Sequence, residues 1–346
     1  MQINLASSKR LLVYFCFLYL IGLTALSYAE KVASSQAVSI ALPGGEGGIG
    51  FDDFTYSSVL KKVLVPGGQT GNLYLVDSKT HEVTAIPGFS SEEKYLGGHG
   101  HGITSADYGN DLIFVVDRNT KLLNAVDSTN KIIASAPLAS SPDYVRYIPE
   151  ENEVWVTEPD HDRIETFGIT KTEKITLSHS DFIAIEGGPE SLIYDFSRKR
   201  AYTHLWAGKT VDIDVKTRKV IAVWPNGCNG SRGIALDPEF GFLFAGCAEG
   251  KATVLDLNHE GKLIGNLKTG SGIDIISYNP NLKHLYLPSS KSATLTIAQV
   301  SKEGHLHSVQ ELKIEKHSHC AASDDIGHVW VCDPERGKLF LFSDAD

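Results

Sequence analysis

Two short segments carry most of the reactive chemistry in this 346-residue chain. "GGHGHGIT", residues 97–104, holds His99 and His101 two positions apart. "KHSHCAAS", residues 316–323, holds His317 and His319 at the same spacing. In an extended segment, residues two apart point to the same side. Each pair therefore reads as two imidazoles facing one way. Four imidazoles drawn from two such pairs would hold zinc or copper, and Glu46 could add an oxygen ligand. Cys320, next to His319, could instead give a thiolate to copper. The alternative is a hydrated polar rim that merely contains histidine. His204, in "AYTHLW", reads as a packed or surface residue, and His305 and His307 as solvated ones.

Other catalytic signatures are missing. There is no G-x-S-x-G elbow and no phosphate loop. The "GGEGG" run at 44–48 precedes an extended segment and no helix, so it reads as a turn. Trp155, Trp206, Trp224 and Trp330 read as core residues and lack the regular pattern of quinone-dependent dehydrogenases. No quinone, nucleotide or flavin is expected; zinc or copper is the one cofactor class the residues suggest.

The ends of the chain speak to location. Residues 1–29 begin with Lys9 and Arg10, continue through "LLVYFCFLYLIGLTAL" and end in small residues at Ala29. That is the layout of a secretory signal. Cleavage after Ala29 would remove two cations and take the net charge from −10 to −12. No later stretch is apolar enough for a spanning helix, so a periplasmic or secreted protein, monomeric and free of the membrane, is expected. Four cysteines remain after cleavage. In an exported chain they suggest two disulfides, Cys228–Cys247 and Cys320–Cys332. The turn "DDIG" lies midway between the last two, which sets them opposite one another in a hairpin.

Positioning these groups is the task of a repeat. Charged residues are 21% and apolar ones 42%, an ordinary globular balance. The apolar residues fall in short alternating runs such as "NLYLVD", "LIFVVD", "EVWVTEP", "HLYLPSS" and "HVWVCD", bounded by Gly, Asp, Asn and Pro. These are strand signals. Seven comparable openings begin at Gly47, His101, Asp143, Glu190, Arg232, Asp274 and His319, in steps of 54, 42, 47, 42, 42 and 45 residues. A period near this length with four strands per unit is that of propeller blades. The expectation is an all-β, seven-bladed β-propeller over residues 30–346. The last unit lacks a fourth strand, which residues 36–45 would supply, closing the ring with strands from both termini.

Blade openings line a channel mouth. The alignment puts His101, Asp143, Glu190, Arg232, Asp274 and His319 in a ring there, with Gly47 as a gap. Only the Gly47 unit would separate the two histidine pairs. Side chains at such a rim are expected to stay wet, with no burial cost forcing them to pair.

The blade segments "SRGIALDPEFGFLFAGCAEGKATVLDLNHEGKLIGNLKTG" and "GGPESLIYDFSRKRAYTHLWAGKTVDIDVKTRKVIAVWP" resemble the YVTN-repeat, YncE-like family of exported bacterial propellers. The resemblance spans the chain after residue 29. It implies fold and export, but not one activity, because fold does not carry function with it. Three functions stay open. The first is a non-catalytic module binding a small molecule or protein at the channel mouth. The second is a metal-dependent, lactonase-like hydrolase. In it the four histidines would hold the metal, Asp143, Glu190 or Asp274 would act as general base, and Arg232 would orient an anionic substrate. The third is DNA binding, implied by the family and opposed by the net charge of −12.

Overall fold

The computed structural model describes residues 37–344. The signal segment, residues 1–29, lies outside the described residues. Among the described residues, no helix is long and apolar enough to cross a membrane.

Seven antiparallel sheets of four strands follow one another around a ring. Blade 5 shows the common order. Its inner strand, Ser231–Asp237, is followed by Phe242–Cys247, Lys251–Asp256 and Lys262–Lys268. Burial explains the residue types. Second strands such as Leu112–Asp117, Glu153–Glu158 and Phe242–Cys247 are buried at every position. Each is covered by neighbouring blades on both faces, so its apolar run is continuous. Outermost strands such as Lys219–Pro225 are largely exposed, with partial burial at alternate positions, because one face meets water.

The core lies between blades. Phe114 and Leu123 of blade 2 pack with Val154 and Phe167 of blade 3. Phe244 and Val254 of blade 5 pack with Leu285 and Leu287 of blade 6. Trp155 and Trp330 are fully buried. Each such side chain removed from water contributes on the order of 2 kcal/mol.

Blade 7 is assembled from both ends of the chain. Val38–Ala41 pairs antiparallel with the strand Lys338–Ser343, with Ile40 opposite Leu339. The closing strand expected within residues 36–45 is therefore in place, shorter than its sequence window.

Of the two expected disulfides, Cys228–Cys247 is formed, with Cα atoms 5.3 Å apart. The second is corrected: Cys320 and Cys332 are free and buried. They do sit opposite one another, because Ala321 pairs with Val331. However, the Cys332 sulfur is turned onto backbone. It accepts the N–H groups of Cys320 at 3.0 Å and His319 at 3.2 Å.

Candidate channel-mouth site

Each inner strand starts at the same end of the ring, so the residues just before these strands converge. Residues just after the second strands return to this end and converge with them. Together they line a cavity of about 370 Å³.

Asp143, Glu190, Arg232 and Asp274 all line it, as the repeat alignment expects. The histidine assignment is corrected. His99, not His101, faces the cavity. His99 and His319 come together, with ring centroids 5.3 Å apart. His101 is exposed, with Nδ1 3.7 Å from a Glu92 carboxylate oxygen. His317 is exposed and bonds Glu335 at 2.8 Å. The four-imidazole site therefore does not assemble. The reason is backbone conformation. The chain bends at His99 and again at His101, between left-handed Gly98 and Gly102 with φ of 71° and 75°, and His317 is itself left-handed with φ of 68°, so neither H-x-H segment is extended and the two-residue alternation fails. At Gly102 a side chain is excluded, since a Cβ would lie 2.0 Å from the Gly68 carbonyl oxygen. Gly47 and Glu46 line a separate surface pocket with Glu92 and Glu93. Blade 1 instead sends Asp52 to the His99 ring.

The mouth is not a wet rim of independent charges. Asp143 and Glu190 are each only 9% exposed, and charges taken from water need partners. Arg118 supplies one. Its guanidinium lies 2.5 Å from Asp143 and 3.5 Å from Asp52, and it donates to the carbonyls of His99 and Pro142. Arg232 donates to Glu190 at 2.7 Å. The Trp206 indole N–H donates to the other Glu190 oxygen, and the Arg232 guanidinium sits 4.9 Å from the Trp206 ring centroid. Trp206 is half exposed, which corrects its reading as a core residue. Arg118, Trp206, Asp160 and Asp52 are among the site residues that the repeat period does not mark. Arg118 and Trp206 hold one position, the residue after the second strand, in blades 2 and 4. That position, compared across the repeats, was the available signal.

Charge is unevenly settled. Burial pushes Glu190 up to about 7, against Arg232. Burial and the nearby Asp52 hold Asp143 well above the ordinary carboxyl range. Burial also raises Asp274. Asp52 is the exception: burial opposes its ionisation, yet His99 and Arg118 keep it below the usual value. In return Asp52 lifts His99 to about 10. His319 has Nδ1 2.6 Å from the His317 carbonyl oxygen and Nε2 3.0 Å from that of Phe51. Burial disfavours charge on this ring, but Cys332 and Asp274 outweigh it and raise His319 above its ordinary value.

Donor atoms of His99, Asp274 and His319 lie within 4.8 Å of one another, as do those of His319, Cys320 and Cys332. Only His99 and His319 of the expected metal ligands belong to these groups. His204 lies elsewhere, fully buried, accepting from Thr210 and donating to the Phe244 carbonyl. His305 and His307 are exposed.

No protein-family model matches the sequence, and no curated relative does. Solved structures share the fold. A chain of the mitotic checkpoint complex superposes with TM-score 0.74 at 12% identity, covering 98% of this chain and 100% of that one. A chain of hydrazine synthase from Kuenenia stuttgartiensis gives 0.69 at 12% identity, over 87% and 96%. The β-propeller domain of Cps50 (Swd1) from Myceliophteria thermophila gives 0.70 at 11% identity, over 88% and 99%. At these identities the likeness is one of fold.

Proposed function

We propose that this chain is an exported, non-catalytic binding propeller of the YncE-like kind, and that its channel mouth takes a small, charged molecule. One observation carries the reading: side chains from separate blades, bearing both signs of charge, converge on a single cavity of about 370 Å³. That is the size and setting of a small-ligand pocket. Two ion pairs join its lining side chains, Arg118 with Asp143 and Arg232 with Glu190. A ligand carrying both an ammonium and a carboxylate would exchange those partners without leaving a buried charge alone. The half-exposed ring of Trp206 offers an apolar wall beside them. The Cys228–Cys247 disulfide supports export, because such bonds persist in oxidising compartments.

The hydrolase reading has less support. His319 commits both ring nitrogens to carbonyls, which leaves His99 and Asp274 as the free donors of their group. Two donors are fewer than a catalytic zinc needs.

The test is a thermal-shift screen of the purified protein against amino acids, amines, carboxylates and sugars, followed by calorimetry of any hit. A zwitterionic ligand that raises the midpoint, and whose binding is lost in Asp143→Asn and Arg232→Gln, supports the proposal. Binding that survives both substitutions, or a panel in which no zwitterion binds, overturns it.

A further inference from the structure

The chain treats its two cysteine pairs differently. Cys228 and Cys247 are joined. Cys320 and Cys332 face each other across a hairpin and remain thiols. Around this second pair the backbone is rearranged for sulfur. Cys332 donates its N–H to the Cys320 carbonyl at 3.1 Å. The return bond of a regular ladder, from the Cys320 N–H to the Cys332 carbonyl, is replaced by one to the Cys332 sulfur. The His319 N–H adds a second donor to the same atom. Two amide dipoles aimed at one sulfur favour the thiolate over the thiol. The His319 ring stands beside it, with donor atoms of all three residues within 4.8 Å.

We infer that Cys320 and Cys332 form a binding site for one soft, monovalent, thiophilic metal ion of the copper(I) class. Thiolates select such ions over hard ones. Coordination number points the same way. Both nitrogens of His319 lie against carbonyls, so the structure offers two sulfurs as donors. Two thiolates suffice for copper(I), whereas zinc takes four ligands. Both cysteines are fully buried in one cluster with Phe51, Trp330 and Leu339, which keeps water from competing as a ligand. Binding is an exchange of metal for proton: each sulfur still protonated releases H⁺ as its bond to the metal forms, and nothing is oxidised or reduced.

The test uses reduced, oxygen-free protein loaded from a copper(I)–bicinchoninate complex. Copper retained against the chelator is measured, X-ray absorption at the copper edge identifies the neighbours, and thiols are counted after denaturation without reductant. The expected result is a single copper per chain with two sulfur neighbours. Retention is lost in Cys320→Ser and in Cys332→Ser and is unchanged in His101→Ala. Circular dichroism screens each variant for folding, and Cys320→Ala and Cys332→Ala replace any serine variant that fails. Copper held equally by the cysteine variants overturns the inference, as does a nitrogen- or oxygen-only shell. So does wild-type protein whose pair is a disulfide that native-state reductant cannot open.

Discussion

His99 Nδ1 lies 3.0 Å from Oδ2 of Asp52, and this pair joins the mouth ends of blades 1 and 2. Asp52 is buried, whereas His99 keeps about two-fifths of its side chain in water. The acid therefore depends on the pair more than the base does. In Asp52→Asn, His99 and Arg118 lose their shared carboxylate. We expect a loss of about 1–3 kcal/mol in chemical denaturation. The His99 ring, followed by NMR, should titrate far below its wild-type value of about 10. An unchanged His99 midpoint would remove Asp52 from the account.

His204 sets an acid limit. Burial lowers it to about 4, so it folds as the neutral ring. Its unfolded value is near 6.5. Between these values the unfolded chain binds the extra proton, and stability rises with pH. The contribution is present above about 6.5 and is lost as pH falls toward 4. By pH ~5 the loss is about 2 kcal/mol. The expected observation is a denaturation midpoint that drops more between pH ~7 and ~5 in the wild type than in His204→Asn.

Glu190 acts with the opposite sign. Its folded value of about 7 exceeds the ordinary 4.5. The folded state holds the extra proton in that window, so this contribution is complete below about 4.5 and is lost as pH rises through 7. The neighbouring indole reports the change. Trp206 emission, isolated by difference against Trp206→Phe, should shift with a midpoint near 7, and Glu190→Gln should flatten the curve.

The Cys228–Cys247 bond closes a separation of 19 residues. Replacing both cysteines by serine should cost about 3 kcal/mol. Reductant should lower the wild-type denaturation midpoint toward that of the variant, and leave the variant where it is. A double-serine protein as stable as the wild type would make this bond ornamental.

Much of the architecture is readable from residue order. The spacing of Asp143, Glu190, Arg232 and Asp274 follows the blade period, and the structure brings all four to one cavity. Strand alternation survives in sequence because it reflects which faces are covered. The site was harder to read wherever glycine controls the chain. His99 and His101 look equivalent in sequence, yet the chain bends at each of them between left-handed Gly98 and Gly102, and one faces the cavity while the other faces solvent. Arg118 was invisible for another reason. It follows a second strand, whereas the repeat is marked by residues before first strands. The state of Cys320 and Cys332 depends on where a sulfur turns within its rotamers, which residue spacing does not encode.

Closing the ring with Val38–Ala41 has a consequence for biogenesis. Among the described strands, the first to be synthesised pairs with Lys338–Ser343, the last. Until Lys338–Ser343 has been made, Val38–Ala41 has no partner and the circle stays open. The ring therefore latches only after its other strands exist, and a product truncated before residue 338 lacks the edge on which Val38–Ala41 docks.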